Sequence, residues 1–141
     1  MAQRVARPIH LFVAWLLVIG LLVQVFLAGM GVFAGAASFA THRDFGYLLE
    51  LFPFVLIVTA VLGGYGRRHA IAAAVMFGQF ILQSILILQR DAVPAIAALH
   101  PVNGFLVLLI ATWLARDAWR VRQPNPERSV AASIAEEPVT H

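Results

Sequence analysis

The sequence predicts an all-α integral membrane protein that folds as an up-down-up-down four-helix bundle. Composition is the first reason, because 61% of the 141 residues are hydrophobic and only 12% are charged, whereas soluble domains are about half apolar and a quarter charged. The second reason is that four apolar segments are each long enough, or nearly so, to cross a bilayer as a helix of about 20 residues. The short connections between these segments predict antiparallel neighbours.

The sequence divides into two tails and a bundle. We place the spans at about residues 9–34, 41–64, 70–88 and 94–116. Together they form a bundle over residues 9–118, preceded by a short cytoplasmic N-terminal tail at residues 1–8. Residues 119–141 are polar and contain prolines, which predicts a disordered cytoplasmic tail. The first span is too long for a signal-peptide core and is therefore interpreted as a retained helix.

Glycine and proline mark where the helices end or bend. The glycines at positions 63, 64 and 66 are expected to end the second span. Pro94 suits the first turn of the fourth span, where its missing N–H has no cost. Pro53 and Pro101 lie inside the second and fourth spans, and each frees a backbone carbonyl, which predicts a kink.

The arginines predict the orientation in the membrane. Every one of the ten basic residues is arginine, and only Arg43 and Arg90 lie on one side of the predicted bundle. The positive-inside rule therefore places both termini in the cytoplasm and the protein in the inner (plasma) membrane. Because the arginines flank apolar segments, we expect lipid and no nucleic acid as a partner. The arginines of the cytoplasmic side are Arg4, Arg7, Arg67, Arg68, Arg116, Arg120, Arg122 and Arg128.

Helices one and two resemble helices three and four, which predicts a pseudo-twofold bundle. Helix one contains "QVFLAG" from Gln24, and helix three contains "QFILQS" from Gln79. Each is followed by an H-x-x-x-G motif at the head of the next span, beginning at His42 and at His100. A repeat of two spans has its symmetry axis along the membrane normal. The two histidines should therefore face each other across the bundle.

The paired motifs indicate a ligand site. Positions i and i+4 share a helix face, so Gly46 lies one turn deeper than His42. Gly104 has the same relation to His100. Glycine at these positions leaves room for the edge of a flat macrocycle, and histidine is an axial ligand of haem iron. We therefore expect one b-type haem between the two histidines near the outer face.

Arg43 and Arg90 are the cations available on that side to meet haem propionates. Cysteine is absent, which excludes a thiolate metal site. No serine–histidine–acid set, phosphate-binding loop or zinc signature is present.

Other polar side chains occur within the spans. Glu50 could carry protons, line a quinone pocket or form an interhelical hydrogen bond. Gln24 is a further polar residue within a span. Gln79 and Gln83 share a helix face and are expected to form interhelical hydrogen bonds, with a ligand role as the alternative. His10 and His69, at the cytoplasmic ends of helices one and three, form a second possible pair. Neither has a glycine one turn inward, and we interpret them as interfacial.

The chain from about Gln24 to Ala115 resembles a family of small bacterial four-span membrane proteins of unknown function. The resemblance rests on "QVFLAG", the H-x-x-x-G of the second span, the glutamine of the third and "LHPVNG" at the head of the fourth. "HRDFG" and "LHPVNG" also resemble the histidine-bearing helices of haem A synthase and other membrane b-type cytochromes. That likeness implies that His42 and His100 are axial ligands.

The sequence therefore predicts a haem-binding membrane protein in electron transfer or redox sensing, with a redox partner or a larger membrane complex, and homodimerisation as a further candidate. One alternative is an accessory subunit without a cofactor. Another is a small transporter or quinone-binding protein that uses Glu50.

Overall fold

A computed structural model describes residues 1–122 of the chain. This part contains a single 3-10 turn, at Ala36–Ser38, and six α-helices. They are α1 (Ala2–Phe33), α2 (Phe39–Leu49), α3 (Leu51–Gly63), α4 (Arg67–Leu88), α5 (Pro94–Ala97) and α6 (Leu99–Arg122). The turn, α2 and α3 together form the second span, and α5 and α6 form the fourth, so four helical spans are long and apolar enough to cross a membrane. The predicted all-α four-helix bundle is confirmed.

Each span packs against its two neighbours in the ring, so the first span faces the third, and the second faces the fourth, across the diagonals. A central layer of fully buried side chains comes from one residue of each span: Leu17, Leu56, Met76 and Leu114. Most other large apolar side chains point outward. This distribution is the one expected when lipid rather than water surrounds the helices.

Two prolines explain why two of the spans are each made of two helices. A proline inside a helix lacks the N–H that would bond the carbonyl four residues earlier, and its ring clashes with that carbonyl. Leu49, four residues before Pro53, is the last residue of α2, and the chain breaks at Glu50. Ala97, four residues before Pro101, is likewise the last residue of α5. Each of the two prolines thus coincides with a break in the helix of its span.

The ends of the spans differ in part from the prediction. Gly64 ends α3 in the left-handed conformation with φ +66°, and the N–H of Tyr65 donates to the carbonyl of Ala60 at 3.1 Å. Helix α1 begins at Ala2, so almost all of the predicted N-terminal tail is helical. Helix α6 continues to Arg122, and the remainder of the predicted disordered tail, residues 123–141, lies outside the described residues.

Candidate functional site

His42 on α2 and His100 on α6 face each other across one diagonal of the bundle. Their ring centroids lie 6.1 Å apart, and the ring planes make an angle of 63°. Both side chains are partly buried. The histidine of each H-x-x-x-G motif therefore lies where the sequence repeat predicts it.

Both imidazoles are held by the same kind of hydrogen bond. His42 donates through Nδ1 to the backbone carbonyl of Gln24 at 3.0 Å, and His100 donates through Nδ1 to the carbonyl of Gln83 at 3.1 Å. A neutral imidazole that donates through Nδ1 keeps its lone pair on Nε2. Histidines that bind metals usually donate their other ring N–H to a carbonyl or carboxylate in this way.

The same glutamines return a hydrogen bond to the histidine backbone. The amide nitrogen of Gln24 donates to the carbonyl of His42 at 2.7 Å, and the amide nitrogen of Gln83 is oriented to donate to the carbonyl of His100 at 2.8 Å. The structural counterpart of Gln24 is therefore Gln83. The alignment of Gln24 with Gln79 in the sequence repeat is wrong by one helical turn.

Gly46 and Gly104 give these glutamine amides their space. A Cβ atom on Gly46 would lie 2.8 Å from Nε2 of Gln24. A Cβ atom on Gly104 would lie 3.1 Å from the other end of the Gln83 amide, which is its oxygen when its nitrogen faces the carbonyl of His100. Both distances are shorter than ordinary van der Waals contact. In this structure the space beside each glycine thus holds a glutamine side chain, a neighbour that the motif spacing did not predict.

Two buried polar atoms near this pair have no hydrogen-bond partner within residues 1–122. They are Oε1 of Gln24 and Oδ1 of Asn103. Asn103 lies one turn after His100 and donates through Nδ2 to the carbonyl of Gln79 at 2.9 Å. A buried acceptor without a partner is costly and is uncommon in native structures. Within the described residues, this region therefore has two side-chain oxygens that could each accept a further hydrogen bond.

The other predicted site residues lie at the same end of the bundle. Arg43 forms an ion pair with Asp44 at 2.8 Å, and Arg90 forms one with Asp91 at 3.4 Å; all four side chains are exposed. Glu50 lies at the break between α2 and α3 and is half-buried.

A second histidine pair lies at the opposite end of the bundle and consists of His10 and His69, the second possible pair in the sequence. His10 Nε2 lies 3.1 Å from His69 Nδ1, on the diagonal formed by α1 and α4. His10 Nδ1 lies 2.9 Å from Thr59 Oγ1, and His69 Nε2 lies 2.8 Å from Asp117 Oδ2. Each of the four spans therefore supplies one of these four hydrogen-bonded side chains. We call the four together the His10–His69 network.

The interpretation of His10 and His69 as interfacial is wrong, because the side chains are 0% and 2% exposed. A buried charged or polar side chain requires a partner. The sequence did offer one candidate partner for a buried histidine: Asp117, the acidic residue within the arginine-rich end of the fourth span. Sequence separation hid it, since His69 and Asp117 are 48 positions apart in the chain.

Aromatic rings close the His10–His69 network. Tyr65 lies 4.5 Å from His10 and 4.8 Å from His69, measured between ring centroids. Trp113 lies 5.2 Å from His69. Burial raises the pKa of Tyr65, and this effect exceeds the opposing effect of the positive charges of Arg7 and Arg122. The phenol of Tyr65 therefore stays protonated near neutral pH.

The fold and these two pairs define the class of the protein: a helical membrane bundle with histidines facing each other on both diagonals. Residues 24–90 match the family described as "Family of unknown function (DUF6220)". The matched segment is just under half of the chain and contains Gln24, His42 and Gln83. The predicted resemblance to a family of unknown function is confirmed.

No curated protein and no solved structure matches the chain. The likeness to haem A synthase therefore has no support from these comparisons. Within residues 1–122, no three histidine or carboxylate side chains are grouped so that they could hold a metal ion.

Proposed function

We propose that the protein binds one b-type haem between His42 and His100 and acts in electron transfer or redox sensing. The observation that carries this proposal is the 6.1 Å between the two ring centroids. Two imidazoles bound on opposite sides of one metal ion, through nitrogens about 2 Å away, would have centroids about 6 Å apart. The separation of the two rings therefore supports the proposal that both are ligands of one haem iron.

The donor set fits haem better than a bare metal ion. Two histidines alone make a sparse metal site, and residues 1–122 supply no third ligand to a metal ion. Haem brings four nitrogens of its own and needs only axial ligands from the protein. The Nδ1 hydrogen bonds of His42 and His100 to backbone carbonyls leave the lone pair of each ring on Nε2, and the amide nitrogen of Gln24 lies 3.5 Å from Nε2 of His42.

The surrounding residues would hold and orient such a group. Bound haem supplies reversible one-electron chemistry. The side chains of Gln24 and Gln83 would have to swing away from Gly46 and Gly104 to admit the macrocycle edge. Arg43 and Arg90 would meet the propionates, and this exchange would release them from their neighbouring aspartates.

The orientation proposed for this site follows from the arginine distribution. Arg43 and Arg90 mark the end with little positive charge, which the positive-inside rule assigns to the non-cytoplasmic side. We therefore place the His42–His100 pair near the outer face of the inner (plasma) membrane. A redox partner, a larger complex or a second copy of the chain would exchange electrons there.

Optical spectroscopy of the detergent-purified protein, oxidised and then reduced, tests the proposal. After expression with ample haem, we expect the sharp reduced bands of a six-coordinate b-type haem. The variants His42→Ala and His100→Ala should each lose them. His69→Gln is the matched control, because it removes a histidine from the opposite end and should leave the spectrum unchanged.

A second variant separates ligation from folding. His100→Met should retain haem with a raised reduction potential, since a methionine axial ligand favours the reduced iron. A folded wild-type protein that takes up no haem would overturn the proposal and leave the accessory-subunit interpretation. Retention of an unaltered spectrum in both alanine variants would also overturn it.

A further inference from the structure

We propose that the His10–His69 network is a binding site for one proton, shared between the two imidazoles and reached through Asp117. The proposal does not rest on haem binding at the other end of the bundle. It rests on the hydrogen-bond connectivity of four side chains, one from each span.

The number of protons follows from the hydrogen bonds. Thr59 Oγ1 donates to the carbonyl of Val55 at 2.8 Å, so its oxygen must accept from His10 Nδ1. The contact between the two rings needs one further proton, and the contact between His69 and Asp117 needs another. Four hydrogen bonds in sequence thus require four protons.

Two neutral imidazoles and an ionised carboxylate fall one proton short. The threonine hydroxyl supplies one proton and each neutral ring supplies one, which leaves one of the four contacts without a hydrogen. One added proton, placed on His69, completes all of them. Because an unmade hydrogen bond between buried polar groups is costly, the network favours uptake of that proton.

Charge favours the same state. With both imidazoles neutral, the carboxylate of Asp117 gives the network a net charge of −1. The added proton makes the network neutral overall, as an ion pair between His69 and Asp117 at 2.8 Å. A neutral group is far less costly to hold among buried helices than a net charge.

The aromatic rings also suit a protonated imidazole. Tyr65 and Trp113 lie with ring centroids 4.8 Å and 5.2 Å from the centroid of His69. Aromatic faces within about 6 Å attract a cation.

The charged groups around the network come from three elements. Arg7 on α1 donates to the carbonyl of Gly63 at 2.9 Å. On α4, the guanidinium carbon of Arg68 lies 5.6 Å from the Trp113 ring centroid. The positive charge of Arg122 on α6 acts to lower the pKa of Tyr65. These three cations disfavour a second proton, which limits the site to one.

Asp117 is the member of the network with the most exposed side chain. Asp117 is 34% exposed at its side chain, whereas His69 is 2% exposed. A proton can therefore enter at the carboxylate and pass from ring to ring. The series of hydrogen bonds ends where Thr59 donates to the carbonyl of Val55. The structure therefore supports binding of a proton and not a continuous path across the membrane.

Nitrogen-15 NMR of histidine-labelled full-length protein in lipid nanodiscs tests the proposal. The spectra would be recorded from about pH 4 to pH 9, a range that brackets the ordinary histidine titration. His10→Gln and His69→Gln assign the signals. In the wild-type protein, we expect the resonances of both rings to shift together in one step that totals one proton, as coupled sites do.

Asp117→Asn removes the charge and keeps the size of the side chain. Loss of an opposite charge in direct contact should lower proton affinity about tenfold or more, which moves the step down by one pH unit or more. Asp44→Asn is the matched control, because it removes an ion-paired aspartate at the other end of the bundle. It should leave the step in place.

Three results would overturn the proposal. They are two separate steps that total two protons, no protonation of either ring in the wild-type protein, and an Asp117→Asn variant whose step coincides with that of the wild type. The first two results are measured on the wild-type protein, and variants are needed there only to assign the signals. None of these results depends on whether the protein binds haem.

Discussion

At the scale of single residues, glycine serves hydrogen bonding between helices. The backbone of α2 can accept the amide of Gln24 only where no Cβ intervenes, and Gly46 is that position. Gly104 plays the same part for Gln83. Small residues at contacts between membrane helices commonly permit close approach; here they admit a polar side chain that in turn anchors a histidine.

Replacing Gly46 by alanine should destabilise the fold. The new methyl group would displace the Gln24 amide, break its bond to the carbonyl of His42 and leave buried polar groups unpaired, at a cost of about 1–2 kcal/mol. Thermal unfolding in detergent measures the change. Gly78→Ala is the control, because nothing lies within 4 Å of the position where its Cβ would be. That variant should be neutral or more stable by up to about 1 kcal/mol. Equal stability of the two variants would contradict this account.

At the scale of helices, a proline divides the span that carries His42. The break at Glu50 separates α2 from α3, so α2 need not continue the axis of the helix that packs in the core. The fourth span has the same arrangement, because α5 ends at Ala97, four residues before Pro101. Both histidines of one pair are thus carried on spans that a proline divides, whereas the spans of His10 and His69 are continuous.

Pro53→Ala should remove the break. The restored N–H can bond the carbonyl of Leu49, and a change in direction of roughly 20° would move the tip of the 11-residue helix α2 by about 5 Å. Since the chain has no cysteine, Thr41→Cys and Leu88→Cys provide unique spin-label sites for distance measurement. Pro8→Ala, in a helix that is already continuous, should leave the distance unchanged. An unchanged distance in the Pro53→Ala variant would show that packing, and not proline, sets the break.

At the scale of the whole molecule, the two histidine pairs lie at opposite ends and on different diagonals. Gln24 follows His10 by fourteen residues on α1, about 21 Å along the helix axis. One pair lies beside exposed aspartate–arginine ion pairs, and the other lies within the arginine-rich end. The bundle therefore separates the two histidine pairs by about 21 Å along its axis.

The proposed orientation predicts which ends of the molecule reagents reach. Ala92→Cys, in the connection between α4 and α5, should react with a membrane-impermeant maleimide added to intact spheroplasts. Ala2→Cys, at the start of α1, should react only after the membrane is opened. Both positions are exposed in the fold. The reverse pattern would place the His42–His100 pair on the cytoplasmic side.

Hydropathy and local signals in the sequence sufficed to predict four spans, the prolines at which two of them break and the glycine that ends α3. They sufficed because span length and helix breaking depend on residues within a few turns of one another. The pairing of His42 with His100 also followed, since a repeated motif and alternating helix direction place both histidines at one end.

Contacts between distant segments determined the rest. The register that matches Gln24 with Gln83 depends on how far two helices slide along each other, which sequence spacing does not specify. Burial of His10 and His69 became visible only when Thr59 and Asp117 were brought beside them by the other two spans. A buried polar group is stabilised by partners from separate helices, and the order of residues along the chain does not record which helices those are.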